Sequence, residues 1–268
     1  MVKTKKEGEG SSERQEIEIV GTEDTLEKSV IFHLLKEIIS FVLYMHQQIP
    51  AVLQEMTSEF ESMHTERKEL ETALAQREVR LSARRQHNGR MREVKQGIRR
   101  LEKLMRDFSR IQTALQLMLN EVHGLESVVL ILGGSPLRPQ HVYEMSFSHG
   151  RIVEECTMDY TKSRIADALS RKALRALISN GAGSVSYSGQ TKLFLLVKAP
   201  ATLNMPLHFL PKRDFKFHKK VVPFRLRVKC SIQGQNANVQ HQASNDSIWF
   251  QCKHTIKGLP SSTPTPDE

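Results

Sequence analysis

The chain has 268 residues, 39% of them hydrophobic and 26% charged, with a formal net charge of +9. This length and composition carry one large domain, or two small ones, with a real hydrophobic core, and they exclude a wholly disordered chain. The three cysteines, Cys156, Cys230 and Cys252, are widely spaced and include no C-x-x-C pair, which argues against a disulfide framework or structural zinc site and for a reducing compartment.

Residues 1–23 are polar and charge-rich, and their composition predicts a disordered tail. The opening MVKTKKEGEG lacks an apolar core, so no secretory signal is predicted. Thr25 and Lys28 mark the start of a helix running to about Ile49, stopped by Pro50. Val30, Ile31, Leu34, Leu35, Ile38, Ile39, Val42 and Leu43 surround it, so it belongs inside a fold. The same stretch is interrupted by His33, Lys36 and Glu37, and is too short and polar to cross a membrane. Residues 51–89 keep a helical period but are more polar. They predict an insertion or extension outside the core, ending at a turn-like Asn88-Gly89.

A third helix is predicted from about Arg90 to His123, with Gly124 as its cap. Its first half carries one apolar seam: Met91, Val94, Ile98, Leu101, Met105 and Phe108. Next, VVLILGG (128–134) reads as a buried strand closed by a glycine turn, and HVYEMSF (141–147) as a second strand. A helix over about 160–180 is closed by Asn180-Gly181. Strands follow at 191–198, weakly at 205–210, then at 222–232 and 247–257, and 259–268 form a second disordered tail. Helices first, then strands with one helix embedded, predict an α+β fold: an antiparallel sheet packed on three main helices, plus the polar helical extension.

The helix 160–180 carries the most informative pattern. At ~100° per residue, Ile165, Ala168, Leu169, Ala173, Ala176 and Leu177 gather on a core face. Leu174 and Ile178 fall on the other side, among Asp167, Ser170 and Arg171. An i, i+4 apolar pair rimmed by charge is the pattern of a helix face that enters a partner's groove.

No catalytic chemistry is legible. Gly133-Gly134-Ser135-Pro136 lacks a phosphate-loop pattern and a following helix, so it reads as a strand exit. The histidines have no metal-ligand spacing, and no nucleophile motif occurs, so neither a metal nor a cofactor is expected. Basic residues are in excess over 64–110 and 212–229, but no nucleic-acid motif accompanies them. The residues leave three readings open: a protein-docking module, a coiled-coil scaffold dimerising through 51–123, and a basic nucleic-acid-binding protein.

Several segments resemble the comet family, the Mad-two-binding proteins that silence the spindle assembly checkpoint. They are LLKEIISFVLYMHQQIP (34–50), ESVVLILGGSPLRPQHVYEMSF (126–147), LSRKALRALIS (169–179), LPKRDF (210–215) and SIWFQCKHTIKG (247–258). The resemblance implies a HORMA-like domain over 24–258. It also implies an adaptor that binds closed Mad-two and hands it to a hexameric AAA+ remodelling ATPase, which disassembles the mitotic checkpoint complex. By position, Leu174 matches a family aromatic residue that inserts into Mad-two, and Met45 a polar contact residue; both are substitutions. Arg171 and Ile178 would complete that contact. Pro211 and Lys212 match the Pro-Lys pair that contacts the ATPase, with Arg213 beside them. The resemblance further implies a monomer when alone, placed in the nucleus and cytoplasm and at the spindle or kinetochore in mitosis.

Overall fold

The structure, a computed structural model, describes residues 16–21, 26–75, 81–122, 125–148, 159–184, 189–216, 221–230 and 247–259. Thr25, Val79, Gly124, Cys156, the basic pair Lys219 and Lys220, and residues 260–268 lie outside them. In chain order the elements are β1 (Ile17–Val20), α1 (Lys28–Met45), α2 (Leu53–Ala75), α3 (Leu81–Glu121), β2 (Ser127–Ser135), β3 (Arg138–Ser148), α4 (Asp159–Ser179), β4 (Lys192–Pro200), β5 (Phe209–Lys212), β6 (Phe224–Lys229), β7 (Ser247–Cys252) and β8 (Ile256–Lys257).

The strands form one sheet in the order β1-β6-β3-β2-β4-β7-β5, with β8 joining β4. β1–β6 and β6–β3 are parallel pairs; the others are antiparallel. One sheet face, with Val128, Leu130, Leu132, Tyr143, Leu195, Val197 and Leu226, shares the main core with α1, α3 and α4. The other face, with Val129, Ile131, Val142, Phe194 and Leu196, is buried beneath Phe215, Val221 and Trp249. The unbroken apolar run of β2 follows from this: a strand covered on both sides has no solvent face to mark with polar residues.

α1 is buried on several sides, as its sequence predicts, but it stops at Met45 rather than Ile49. Its end is stapled by two bonds, Gln47 N–H to Tyr44 O at 2.9 Å and Gln48 N–H to Leu43 O at 2.8 Å. Between them Gln47 takes φ 53°. This is a Schellman stop with glutamine where glycine usually sits, at a cost of about 1–2 kcal/mol. α4 ends in the same motif, with Gly181 N–H to Ile178 O at 2.9 Å and Ala182 N–H to Leu177 O at 3.0 Å; Gly181, at φ 81°, supplies the left-handed position without that cost.

Two expectations need correction. Residues 17–20 are not part of a disordered tail, because they pair in parallel with Leu226–Lys229 of β6. Alternation explains it: Ile19 is buried while Glu18 reaches Lys229 Nζ at 2.6 Å, so even four residues satisfy both sides. Asn88-Gly89 is not a turn, because α3 runs through it as one 41-residue helix, about 60 Å long. The helix penalty of Gly89, about 1 kcal/mol, is outweighed by the α2 contact. Arg90 grips Glu66 with two bonds, at 2.6 and 3.1 Å, and Met63 packs into the space left by Gly97. The polar 51–89 region is thus α2 plus the first turns of α3, an antiparallel hairpin on which the seam residues Met91, Val94 and Ile98 are buried.

Gly133 also has a steric reason. A Cβ there would lie 2.5 Å from the Arg138 carbonyl oxygen, across a tight hairpin whose two linking residues are Pro136 and Leu137. The glycine pair serves the β2–β3 hairpin, in keeping with the strand-exit reading.

Candidate protein-docking surfaces

α1 and α4 lie side by side and run in the same direction. The pairing starts where His33 Nε2 meets Asp167 Oδ1 at 2.9 Å and ends where Met45 packs against Gly183, just past α4. Small buried residues on both helices, Ser40, Ala166, Ser170 and Ala173, allow the close approach. His33, Glu37, Ser40 and Tyr44 on α1 and Asp167, Arg171, Leu174 and Ile178 on α4 share the spacing i, i+4, i+7, i+11. Each set therefore follows one side of its helix, and the His33–Asp167 pair sets the two rows next to each other.

The buried side of α4 comprises Ala166, Leu169, Ser170, Ala173 and Leu177. It is rotated from the predicted face: Ala168 is exposed, and Ser170 is buried with no hydrogen-bond partner for its Oγ. The rotation arises because α4 packs on α1 as well as on the core beneath, and it moves Leu174 to the border, half-buried against the core. Ile178 stays open, 52% exposed. Arg171 is exposed, its Nε donating to the Asp167 carbonyl at 3.2 Å, and Met45 is half-buried. The structure thus puts all four predicted residues on one surface, with Ile178 and Met45 at the far end of the helix pair, Leu174 one turn before Ile178, and Arg171 nearer its start. It adds Tyr44, 43% exposed, which the sequence reading did not single out. Its phenol, the one polar group among Phe41, Val42 and Leu43, was the available signal.

Behind this end lies a buried polar support. Gln48 donates to the His46 carbonyl at 2.9 Å and the Gly189 carbonyl at 3.1 Å, and accepts from Thr191 N–H at 2.7 Å. Its own carbonyl accepts from Leu259 N–H at 2.7 Å, which ties the end of the described chain to α1. His46 Nε2 lies 2.7 Å from the Tyr143 hydroxyl, with the His141 ring tilted beside it at a centroid distance of 4.0 Å. Burial, with a smaller push from His141, lowers the His46 pKa to about 4, so the ring is neutral near pH 7.

The second predicted set lies elsewhere. β5 is the outermost strand and pairs only with β7, placing Pro211 opposite Phe250 and Lys212 opposite Trp249. Proline suits an edge strand because it has no N–H to leave unpaired. Pro211, Lys212 and Arg213 are all exposed, and neither basic group has an ion-pair partner among the described residues. Leu207 and Leu210, 80% and 42% exposed, stand beside them and were not singled out from sequence. α4 lies towards the opposite edge, where Lys172 Nζ donates to the Val20 carbonyl of β1 at 2.9 Å. Six strand spacings separate β1 from β5, about 29 Å.

His208 Nδ1 and His254 Nε2 approach to 3.0 Å, a pairing not visible in sequence, and burial followed by the His208 charge lowers the His254 pKa. Among the described residues no three metal-ligating side chains converge. Cys252 is buried, which pushes its thiol up to about 11 and leaves it unreactive. Among the described residues, no helix is long and apolar enough to cross a membrane.

A family model described as "p31comet: Mad1 and Cdc20-bound-Mad2 binding" matches residues 24–261. The chain belongs to the p31comet family. No curated protein matches the chain itself. The p31comet assignment agrees with the α+β, HORMA-like architecture and brings with it binding of Mad2, the Mad-two of the resemblance, in its Mad1- and Cdc20-bound forms. It is a family of binding adaptors. Its match spans the α2–α3 hairpin as well as the sheet, so the hairpin lies within the family domain.

Proposed function

We propose that this p31comet protein is an adaptor with two separate docking surfaces. The α1–α4 face grips closed Mad2, with Leu174, Ile178 and Tyr44 as apolar anchors, Met45 at their edge and Arg171 in the rim. The β5 edge, through Pro211, Lys212 and Arg213, recruits the AAA+ remodelling ATPase. That enzyme spends its own ATP to disassemble the mitotic checkpoint complex, and the checkpoint is silenced. The protein acts in the nucleus and cytoplasm, and at the spindle or kinetochore in mitosis.

The observation that carries this reading is the exposed apolar end of the α1–α4 pair within a family that binds Mad2. Exposed aliphatic and tyrosine side chains on a rigid, charge-rimmed helix pair are the composition of an interface centre. A dimerising coiled coil is disfavoured, because Met91, Val94 and Ile98 of α3 are already covered within the chain. Titration of closed Mad2 into the protein tests the reading, with Ile178→Asp and Lys212→Glu as variants. The expected result is that the first weakens Mad2 binding and the second weakens only ATPase recruitment. Loss of both partners from either variant would overturn the two-surface arrangement.

A further inference from the structure

The α2–α3 hairpin carries a feature that Mad2 docking and ATPase recruitment leave unused. Arg85, Arg92, Arg99, Lys103, Arg106 and Arg110 are all exposed on α3. At about 100° per residue they fall within a sector roughly 60° wide. That sector is centred about 130° from the seam of Met91, Val94, Ile98 and Leu101, and its six side chains are exposed along the hairpin. The first and last of the six are 25 positions apart, about 38 Å along the helix.

Two neighbouring basic residues are neutralised within the hairpin. Arg90 pairs with Glu66 and Glu93, and Lys95 with Glu71 at 3.8 Å. The outward row is not. Among the described residues, Arg85, Arg92, Arg99, Lys103 and Arg106 have no ion-pair partner, and only Arg110 approaches a carboxylate, Asp107 at 3.8 Å. Solvated helix faces ordinarily intersperse both signs, since like charges three or four positions apart repel. Arg99, Lys103, Arg106 and Arg110 have that spacing, with no acid in their sector between Arg85 and Arg110.

We propose that this row is a docking surface for an acidic α-helical segment of a partner protein. Three observations favour that occupant. The row is straight, one side chain wide and repeats at seven residues (85, 92, 99, 106), the repeat at which a second helix can place carboxylates alongside. The hairpin itself shows the mode, since α2 lies along α3 with Glu66 held by the forked Arg90 guanidinium. No aromatic side chain lies in the sector to stack on a base, and a straight row meets few phosphates on a curved duplex.

Fluorescence titration of the full chain tests this. One probe is an alanine-based helix of 28 residues with glutamates at the matching repeat. The others are a scrambled peptide of equal charge and a DNA duplex. The spaced helix is expected to bind at least about tenfold more tightly than either, and to weaken steeply as salt rises. Arg92→Glu with Arg99→Glu and Arg106→Glu should abolish that binding while leaving Mad2 binding and the circular dichroism spectrum unchanged. Equal affinity for the scrambled peptide, tighter binding of the duplex, or a triple variant that binds like the parent would each overturn the proposal. Because Mad2 binding is read in parallel, failure of this surface is distinguishable from failure of the adaptor reading.

Discussion

The α1–α4 face and the β5 edge both present exposed aliphatic side chains next to basic ones, yet they rest on different foundations. Tyr44, Met45, Leu174 and Ile178 stand on two long helices locked by an ion pair, two Schellman stops and the buried Gln48 network. Leu210, Pro211 and Lys212 stand on four residues of edge strand, hydrogen-bonded on one side only. Preorganised apolar anchors lower the ordering cost of binding and act mainly on dissociation, whereas exposed charge acts mainly on association. A rigid grip for one partner and a salt-sensitive handle for the other is what this difference predicts.

The hardest test of the rigid half removes its support. Gln48→Ala leaves Thr191 N–H and two carbonyls unpaired behind the end of α1, and should cost about 3 kcal/mol of stability by chemical denaturation. Mad2 affinity should fall with it while ATPase recruitment persists, and equal losses at both surfaces would erase the contrast. Next in size, Ile178→Asp should cost about 2 kcal/mol of Mad2 affinity by calorimetry, with stability changed by less than about 0.5 kcal/mol. Leu174→Asp should cost a similar affinity plus at least about 1 kcal/mol of stability, because that side chain is partly in the core. A Leu174 variant as stable as the parent would place it outside the packing.

That pair also shows how far the sequence reaches. The order of elements from α1 onward, the burial of α1 on several sides and the unbroken burial of β2 follow from hydrophobic patterning alone. So does Ile178, since it lies on the side of the helical wheel away from the core face, with Leu174 alone among apolar residues beside it. Leu174 was only half legible: periodicity gives the angle between residues on one helix, but the position of the neighbouring helix decides which angle is open. Tyr44 was hidden for the converse reason, standing in an apolar run whose covering partners leave one side bare. β1 and the continuity of α3 through Asn88-Gly89 depend on tertiary partners, β6 and α2, that outweigh local propensity.

A smaller effect concerns pH. His46 has a folded pKa of about 4 against about 6.5 unfolded, so as pH falls the unfolded chain takes up the proton first. Its contribution to stability is therefore complete above pH ~6.5 and is lost progressively down to pH ~4. The shift corresponds to about 3 kcal/mol, and screening by solvent near this partly accessible site reduces that to about 1.5 kcal/mol. His46→Gln, which keeps a polar group towards Tyr143, should flatten the stability profile between these limits. An unchanged slope would assign the acid sensitivity to other groups, and with it any loosening of the α1–α4 end at low pH.

The mildest change belongs to the edge. Lys212→Glu alters no buried contact, so melting should be unaffected, and the loss in ATPase affinity should be about 1 kcal/mol at physiological salt. Its diagnostic is kinetic: the association rate falls and its salt dependence flattens, while dissociation barely changes. Leu207→Ser and Leu210→Ser on the same edge should do the opposite, speeding dissociation at constant salt dependence. If Lys212→Glu acts through dissociation instead, the edge is a packed interface like the α1–α4 face, and the mechanical distinction between the two surfaces disappears.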